Sequence, residues 1–99
     1  MVLNDSILYK VNYLLSIAKK GSCDKNELEE IERLIDEHSN NLILGRVFGY
    51  SISDYALATL KWIGSKETLE KYNAYERLMT IAQKEEVDEL VKKELHLQY

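Results

Sequence analysis

The chain has 99 residues, of which 45% are hydrophobic and 30% charged, and it contains four glycines and no proline. This length suits one domain, and the composition excludes a disordered chain. Because sheets and long loops need more glycine and proline, the composition favours helices. The single cysteine, Cys23, excludes an internal disulfide and is typical of a reducing compartment, so we expect a cytoplasmic protein.

Charge and hydropathy narrow the function classes further. The uncharged runs are far shorter than the about 20 apolar residues that span a membrane, and no basic start of a signal peptide is visible. The net charge is −4, and residues 24–38 hold seven acids and two bases, a local net charge of −5. We therefore expect the chain to avoid membranes and nucleic acid and to attract a basic protein surface.

Apolar residues at helical spacing predict two helices in the first third of the chain. The first covers about residues 5–20 and ends at Gly21. The second covers about residues 25–38, and Asp24 and Glu27 before and within its first turn have the spacing of a capping box.

The segment after the second helix has two possible structures. A short apolar run favours a helix over residues 41–48, followed by a loop over residues 50–53, although Gly45 and Gly49 each weaken a helix by roughly 1 kcal/mol. Its valine, isoleucine and phenylalanine also suit a strand. A lone strand has no partner, so the helix is the prediction.

The stretch from residue 53 onward predicts a helical hairpin. Ser53 can cap a helix over residues 54–63, and Gly64 can adopt the left-handed conformation that ends it. Ser65 then caps a helix over residues 66–83. The turn is so short that these two helices must lie against each other.

The end of the chain completes the predicted fold. The apolar face of the helix over residues 66–83 consists of Tyr72, Tyr75, Leu78, Met79 and Ala82. A last helix is predicted over residues 85–95, with acids at its start and lysines near its end. Residues 1–99 are thus predicted to form a single all-α domain of five to six short helices packed as antiparallel hairpins.

The hairpin junction resembles that of a HEAT repeat. Ala56, Leu60 and Ile63 have helical spacing before Gly64, and the next helix begins immediately after it with Ser65 as its cap. The similarity covers roughly residues 41–95, although proline is absent and Asp88 stands where a basic residue is common. HEAT-type proteins generally bind other proteins and are not usually enzymes. The resemblance therefore implies a HEAT-like fold with a binding surface and no catalytic chemistry.

No residue pattern predicts a catalytic, cofactor or metal site. His38 and His96 are far apart in sequence and lack a metal-ligand spacing with Cys23. His38 is expected to interact with the end of the second helix. Cys23 precedes a helix N-terminus, which lowers a thiol pKa in principle, but no base is near it in sequence. We therefore expect a protein that is not an enzyme and needs no cofactor.

The acidic second helix is the candidate binding surface. Its predicted partner-binding residues are Glu29, Glu30, Glu32, Asp36 and Glu37. A solvated face that keeps the protein soluble is the alternative, and only Lys25 and Arg33 in the helix offset the acids. Tyr50 and Tyr55 bracket the predicted loop, so we expect them to be exposed anchors, whereas Trp62 is expected in the core.

A small, acidic, helical chain without catalytic residues has the profile of bacterial toxin-immunity proteins. The leading hypothesis is an immunity or antidote protein that binds a cognate toxin, a basic nuclease being the favoured partner. The alternative is a HEAT-like scaffold or adaptor subunit, for which a homodimer is possible. A helix-turn-helix nucleic-acid regulator is a third hypothesis, but it needs a basic recognition helix that the chain lacks.

Overall fold

A computed structural model describes residues 2–38 and 50–95 of the chain. The helices in these ranges are α1 (Val2–Lys20), α2 (Lys25–His38), α3 (Ile52–Ile63), α4 (Lys66–Glu76) and α5 (Ile81–Leu90), which a π-helical turn (Val91–Leu95) continues. The predicted all-α fold class is confirmed. The helix predicted over residues 41–48 lies outside the described residues.

Helix α3 is the centre of the fold. All residues from 51 to 60 are buried, and α3 contacts α1, α2, α4 and α5. A surface helix buries only one apolar stripe, so burial around the whole circumference requires neighbours on every side. The radius of gyration is 12.2 Å, close to the about 13 Å expected for a folded chain of this length.

Side-chain contacts show that α1, α3 and α5 run parallel to one another. The contacts between them advance in the same direction along both helices of each pair. They are Thr59 Oγ1 to the Leu14 carbonyl (3.5 Å), Trp62 Nε1 to the Ala18 carbonyl (3.1 Å), Gln83 Nε2 to Asp54 Oδ1 (3.2 Å), and Lys61 to Asp88. These three helices therefore share one direction.

Helices α2 and α4 run in the opposite direction. They are parallel to each other and antiparallel to α1, as the contacts of α2 show. These are Glu32 to Lys71 (3.4 Å) and Asp36 to Tyr75 (3.2 Å) on the α4 side, and Lys10 to Glu37 and Lys20 to Glu27 (both 2.7 Å) on the α1 side. Helix α2 thus lies between α1 and α4 and rests on α3.

Local signals fixed several helix ends as predicted. Gly21 and Gly64 have φ angles of 79° and 68°, so both take the left-handed conformation after a helix. The capping box before α2 is present: the Glu27 backbone N–H donates to Asp24 Oδ1 at 2.7 Å, and the Asp24 N–H donates to Glu27 Oε1 at 3.0 Å. The Ser65 hydroxyl accepts from the Thr68 N–H at 3.2 Å and caps α4.

The predicted start of α3 is wrong by two residues. Ser51 caps the helix: its hydroxyl accepts from the Asp54 N–H at 3.0 Å, and its own N–H donates to Asp54 Oδ2 at 3.2 Å. This capping box satisfies two backbone donors at once. Ser53 cannot form one, because the residue three positions after it is Ala56. The loop predicted over residues 50–53 is therefore partly helical.

The single helix predicted over residues 66–83 is two helices. Helix α4 ends at Glu76, and α5 begins at Ile81 after Thr80, whose hydroxyl accepts from the Gln83 N–H at 3.1 Å. The predicted apolar face is interrupted as well, because Leu78 is 84% exposed. The Thr80 cap interrupts the helical spacing of apolar residues, which is otherwise continuous in the sequence. The last helix therefore starts four residues earlier than predicted.

Candidate functional site

The acidic residues of α2 point to both of its flanks. Glu30 and Glu37 pair on the α1 side, Glu32 and Asp36 make contacts on the α4 side, and Glu29 is exposed. Helix α2 packs closely on α3 but less closely on α1 and α4. Two open grooves result, which we name the α1–α2 groove and the α2–α4 groove.

The α2–α4 groove is the more acidic of the two. It has a volume of about 450 Å³ and is lined by the carboxylates of Glu29, Glu32, Glu67 and Glu70, by Lys25 and Lys71, and by Leu28. Lys71 Nζ lies 3.4 Å from Glu32 Oε1. Four carboxylates against two lysines leave a net charge of −2. A cleft with an excess of one sign of charge attracts the opposite charge.

Sequence reasoning missed Glu67 and Glu70 of this groove. They are three residues apart on α4 and therefore share a face of that helix. That spacing was visible in the sequence. What the sequence did not show is that α4 lies beside α2, which places these two carboxylates opposite Glu29 and Glu32.

A tyrosine joins α4 to α2 beside this groove. The Tyr75 hydroxyl donates to Asp36 Oδ1 at 3.2 Å. Burial, and then the neighbouring carboxylate of Asp36, raise the pKa of Tyr75 to about 12. Tyr75 therefore stays protonated at neutral pH and keeps its donor. The predicted binding residue Asp36 is thus also a structural contact between the two helices.

The α1–α2 groove carries aromatic side chains and a more balanced charge. It has a volume of about 440 Å³, and its lining includes Tyr9, Tyr13, Asp24, Glu27, Glu30 and Arg33. Arg33 bonds to both Glu30 and Glu37, and it lowers the pKa of Glu30. The hydrogen bond from Lys20 likewise lowers the pKa of Glu27. Glu27 and Glu30 are therefore already paired with cations, whereas Asp24 of the same groove accepts a backbone N–H.

The structure corrects the prediction for Tyr55. Tyr55 is 2% exposed, so its predicted exposure is wrong. It lies in the first turn of the central helix α3, where neighbouring elements cover it, rather than beside a loop. Tyr50 is half-buried and packs edge-to-face on Tyr55, with the ring centroids 6.1 Å apart. Trp62 is also half-buried, and its ring nitrogen donates to the Ala18 carbonyl at 3.1 Å.

Cys23 does not have the environment of a reactive thiol. Burial, and then the carboxylates of Glu27 and Asp24, raise its pKa. These effects oppose the lowering that a helix N-terminus gives in principle, so the thiol stays protonated at neutral pH. The side chain of His38 and the whole of His96 lie outside the described residues.

Within residues 2–38 and 50–95, no three His, Cys, Asp or Glu side chains are placed to hold a metal ion together. Among the described helices, none has both the length and the apolar character to cross a membrane. Comparisons with protein-family models, with curated proteins and with solved structures find no match to this chain.

Proposed function

We propose that this chain is a non-enzymatic protein-binding module, and specifically a bacterial immunity or antidote protein that neutralises a cognate toxin. A basic nuclease is the favoured toxin. The observation that supports the proposal is the α2–α4 groove, where four carboxylates face two lysines on helices held by the α3 core. A groove on rigid helices presents its charges in a fixed arrangement, which lowers the entropic cost of binding.

The binding mechanism follows from this charge arrangement. A nuclease that binds a phosphate backbone presents a basic groove, and the α2–α4 groove offers carboxylates to the same cations. Complementary charge speeds encounter and suppresses wrong partners. Glu29 and Glu32, predicted from the sequence, act here with Glu67 and Glu70. Tyr50 remains a proposed anchor at the partner contact.

The experiment that tests this function compares two double variants in a pull-down from the source organism. Glu29→Lys with Glu70→Lys reverses two exposed carboxylates of the α2–α4 groove. Glu85→Lys with Glu89→Lys changes the net charge equally on the exposed face of α5. We expect the groove variant to bind the partner at least about tenfold more weakly, and the α5 variant to bind within about twofold of wild type.

The captured protein should be basic, encoded in the neighbouring reading frame and toxic when produced alone. Wild-type protein should abolish that toxicity, the groove variant should not, and binding should weaken as salt rises. Equal loss of binding in both double variants would show that only net charge matters. That result would contradict the groove as the docking site.

The second candidate function is a HEAT-like scaffold or adaptor, possible as a homodimer. Two exposed apolar residues favour it: Leu78 is 84% and Ile81 76% exposed around the α4–α5 turn. The alternating directions of successive helices are also compatible with a helical-repeat stack. Contact between copies through this turn predicts a dimer that becomes a monomer on Leu78→Glu with Ile81→Glu. Light scattering after size-exclusion chromatography tests this, and a monomeric wild type contradicts it.

A further inference from the structure

The α1–α2 groove holds an exposed tyrosine that the proposed function does not use. Tyr9 is 73% exposed and lines the groove together with Tyr13. The two residues are four positions apart on α1, so their side chains lie on the same face of the helix. Tyrosine is among the residues that dominate protein-binding energy, because its flat ring buries a large area with little loss of side-chain freedom.

The charges of this groove leave an excess of carboxylate. Asp24, Glu27 and Glu30 line it against Lys10 and Arg33. With the ion-pair partners Lys20 and Glu37 included, four carboxylates meet three cations. Both lining cations already bond to carboxylates of α2: Lys10 Nζ lies 2.7 Å from Glu37 Oε1, and Arg33 bonds to Glu30 and Glu37. A carboxylate has about four acceptor positions. Arg33 takes one on each oxygen of Glu30. Lys20 and the Asp24 N–H together take three on Glu27, so each carboxylate keeps a position for a further donor. The groove can therefore accept another cation, whereas an anion would meet repulsion.

The carboxylates of the groove also act on Tyr13, one of its two tyrosines. Burial raises the pKa of Tyr13, and the carboxylates of Glu27, Glu30 and Asp24 raise it further. A cation lying against the tyrosines would therefore gain from the carboxylates as well as from the ring faces. Of the two basic side chains, arginine suits this combination better. Its planar guanidinium stacks on a ring while its five N–H groups bond to carboxylates, which the compact ammonium of lysine cannot do.

We propose that the α1–α2 groove binds an arginine side chain of the partner protein, with the guanidinium stacked on Tyr9 and bonded to the carboxylates of the groove. The volume of about 440 Å³ accommodates such a side chain. This inference names one contact of the basic partner and rests on the proposed function in that respect. The arginine site lies on the other flank of α2 from the α2–α4 groove, so the two can be tested separately.

The test is a titration of the full-length, isotope-labelled protein with two blocked peptides, followed by two-dimensional NMR. One peptide has a single arginine between glycines, and the other has a single lysine at the same position. We expect saturable shifts at the amides of Tyr9, Tyr13 and Glu30 with the arginine peptide. The lysine peptide should bind at least about threefold more weakly.

Two substitutions of Tyr9 separate stacking from charge. Tyr9→Ala should weaken arginine-peptide binding about threefold or more, and Tyr9→Phe, which keeps the ring face, should bind within about twofold of wild type. Because Tyr9 is 73% exposed, both variants should keep the wild-type melting temperature. Equal binding of the two peptides, or full binding by Tyr9→Ala, overturns the proposal, as does the absence of any shift around Tyr9.

The α2–α4 groove serves as the internal reference of this experiment. Glu29→Lys with Glu70→Lys should leave the shifts around Tyr9 unchanged. Shifts confined to Glu29, Glu67 and Glu70 would overturn the arginine site and leave the acidic docking groove standing. Conversely, an arginine site that persists while the groove variant keeps full partner binding would contradict the proposed function alone.

Discussion

Leu57→Ala is expected to lower the free energy of unfolding by about 2–5 kcal/mol. Leu57 is 1% exposed in the middle of α3, the helix that contacts α1, α2, α4 and α5. Truncation removes buried apolar surface and leaves a cavity that helices held on several sides cannot easily close. Small domains are stable by only about 5–15 kcal/mol, so this one change removes a large share of the total.

Urea denaturation followed by circular dichroism measures this loss. Leu78→Ala is the matched control, because the same atoms are removed from a side chain that is 84% exposed. Its free energy of unfolding should change by no more than about 0.5 kcal/mol. Similar losses in both variants would mean that α3 is not the centre of the core, and the fold described here would be wrong in its main feature.

The parts of the fold that the sequence predicted are those decided by local chemistry. The capping box of Asp24 and Glu27 and the glycine turn at Gly64 involve residues within a few positions of one another. Such contacts form in the same way whatever the rest of the chain does. The bounds of α2 and the α3–α4 junction were therefore predicted correctly.

The parts that the sequence missed depend on competition between alternatives. Ser51 and Ser53 both suit a helix cap, and only the carboxylate of Asp54 three residues after Ser51 decides between them. Thr80 likewise ends a run of good helix formers that single-residue preferences would continue. The burial of Tyr55 could not be predicted from helix propensity or from the spacing of apolar residues. It depends on how the other helices surround α3.

The candidate site shows the same division. The acids of α2 were located from composition alone, since a local net charge needs no knowledge of the fold. Their partners come from other helices: Lys10 and Lys20 from α1, and Lys71 from α4. The packing of these helices thus pairs Glu27 and Glu37 with cations on the α1 flank and adds acids to the α4 flank. The sequence of α2 alone could not predict this difference between the flanks, because the difference comes from residues of α1 and α4.

Asp54 gives the second prediction with a large expected effect, a dependence of stability on pH. This carboxyl is fully buried, Gln83 Nε2 donates to its Oδ1 at 3.2 Å, and the Ser51 N–H donates to its Oδ2 at 3.2 Å. Burial, followed by a hydrogen bond with the carboxyl of Glu86, raises the pKa of Asp54 from 3.8 to about 6. The protonated form is therefore more stable, relative to the ionised form, in the folded state than in the unfolded state.

The direction of the pH effect follows from that shift. Since the folded state binds this proton more tightly than the unfolded state, the group stabilises the fold fully below pH 3.8, and the stabilisation is lost as the pH rises through about 6. Two pKa units correspond to on the order of 3 kcal/mol. Asp54→Asn cannot ionise, so the difference in unfolding free energy between wild type and variant should change by that amount between the two ends of this range.

Urea titrations at several pH values measure this difference, and taking it against the variant cancels the titration of all other groups. Glu86→Gln provides a second test. Removing the Glu86 carboxyl should lower the pKa of Asp54 and move the transition toward lower pH, because one of the two causes of the shift is lost. A wild-type minus Asp54→Asn difference that is constant with pH would mean that Asp54 has the same pKa in the folded and unfolded states, so that the hydrogen bonds from Ser51 and Gln83 offset its burial.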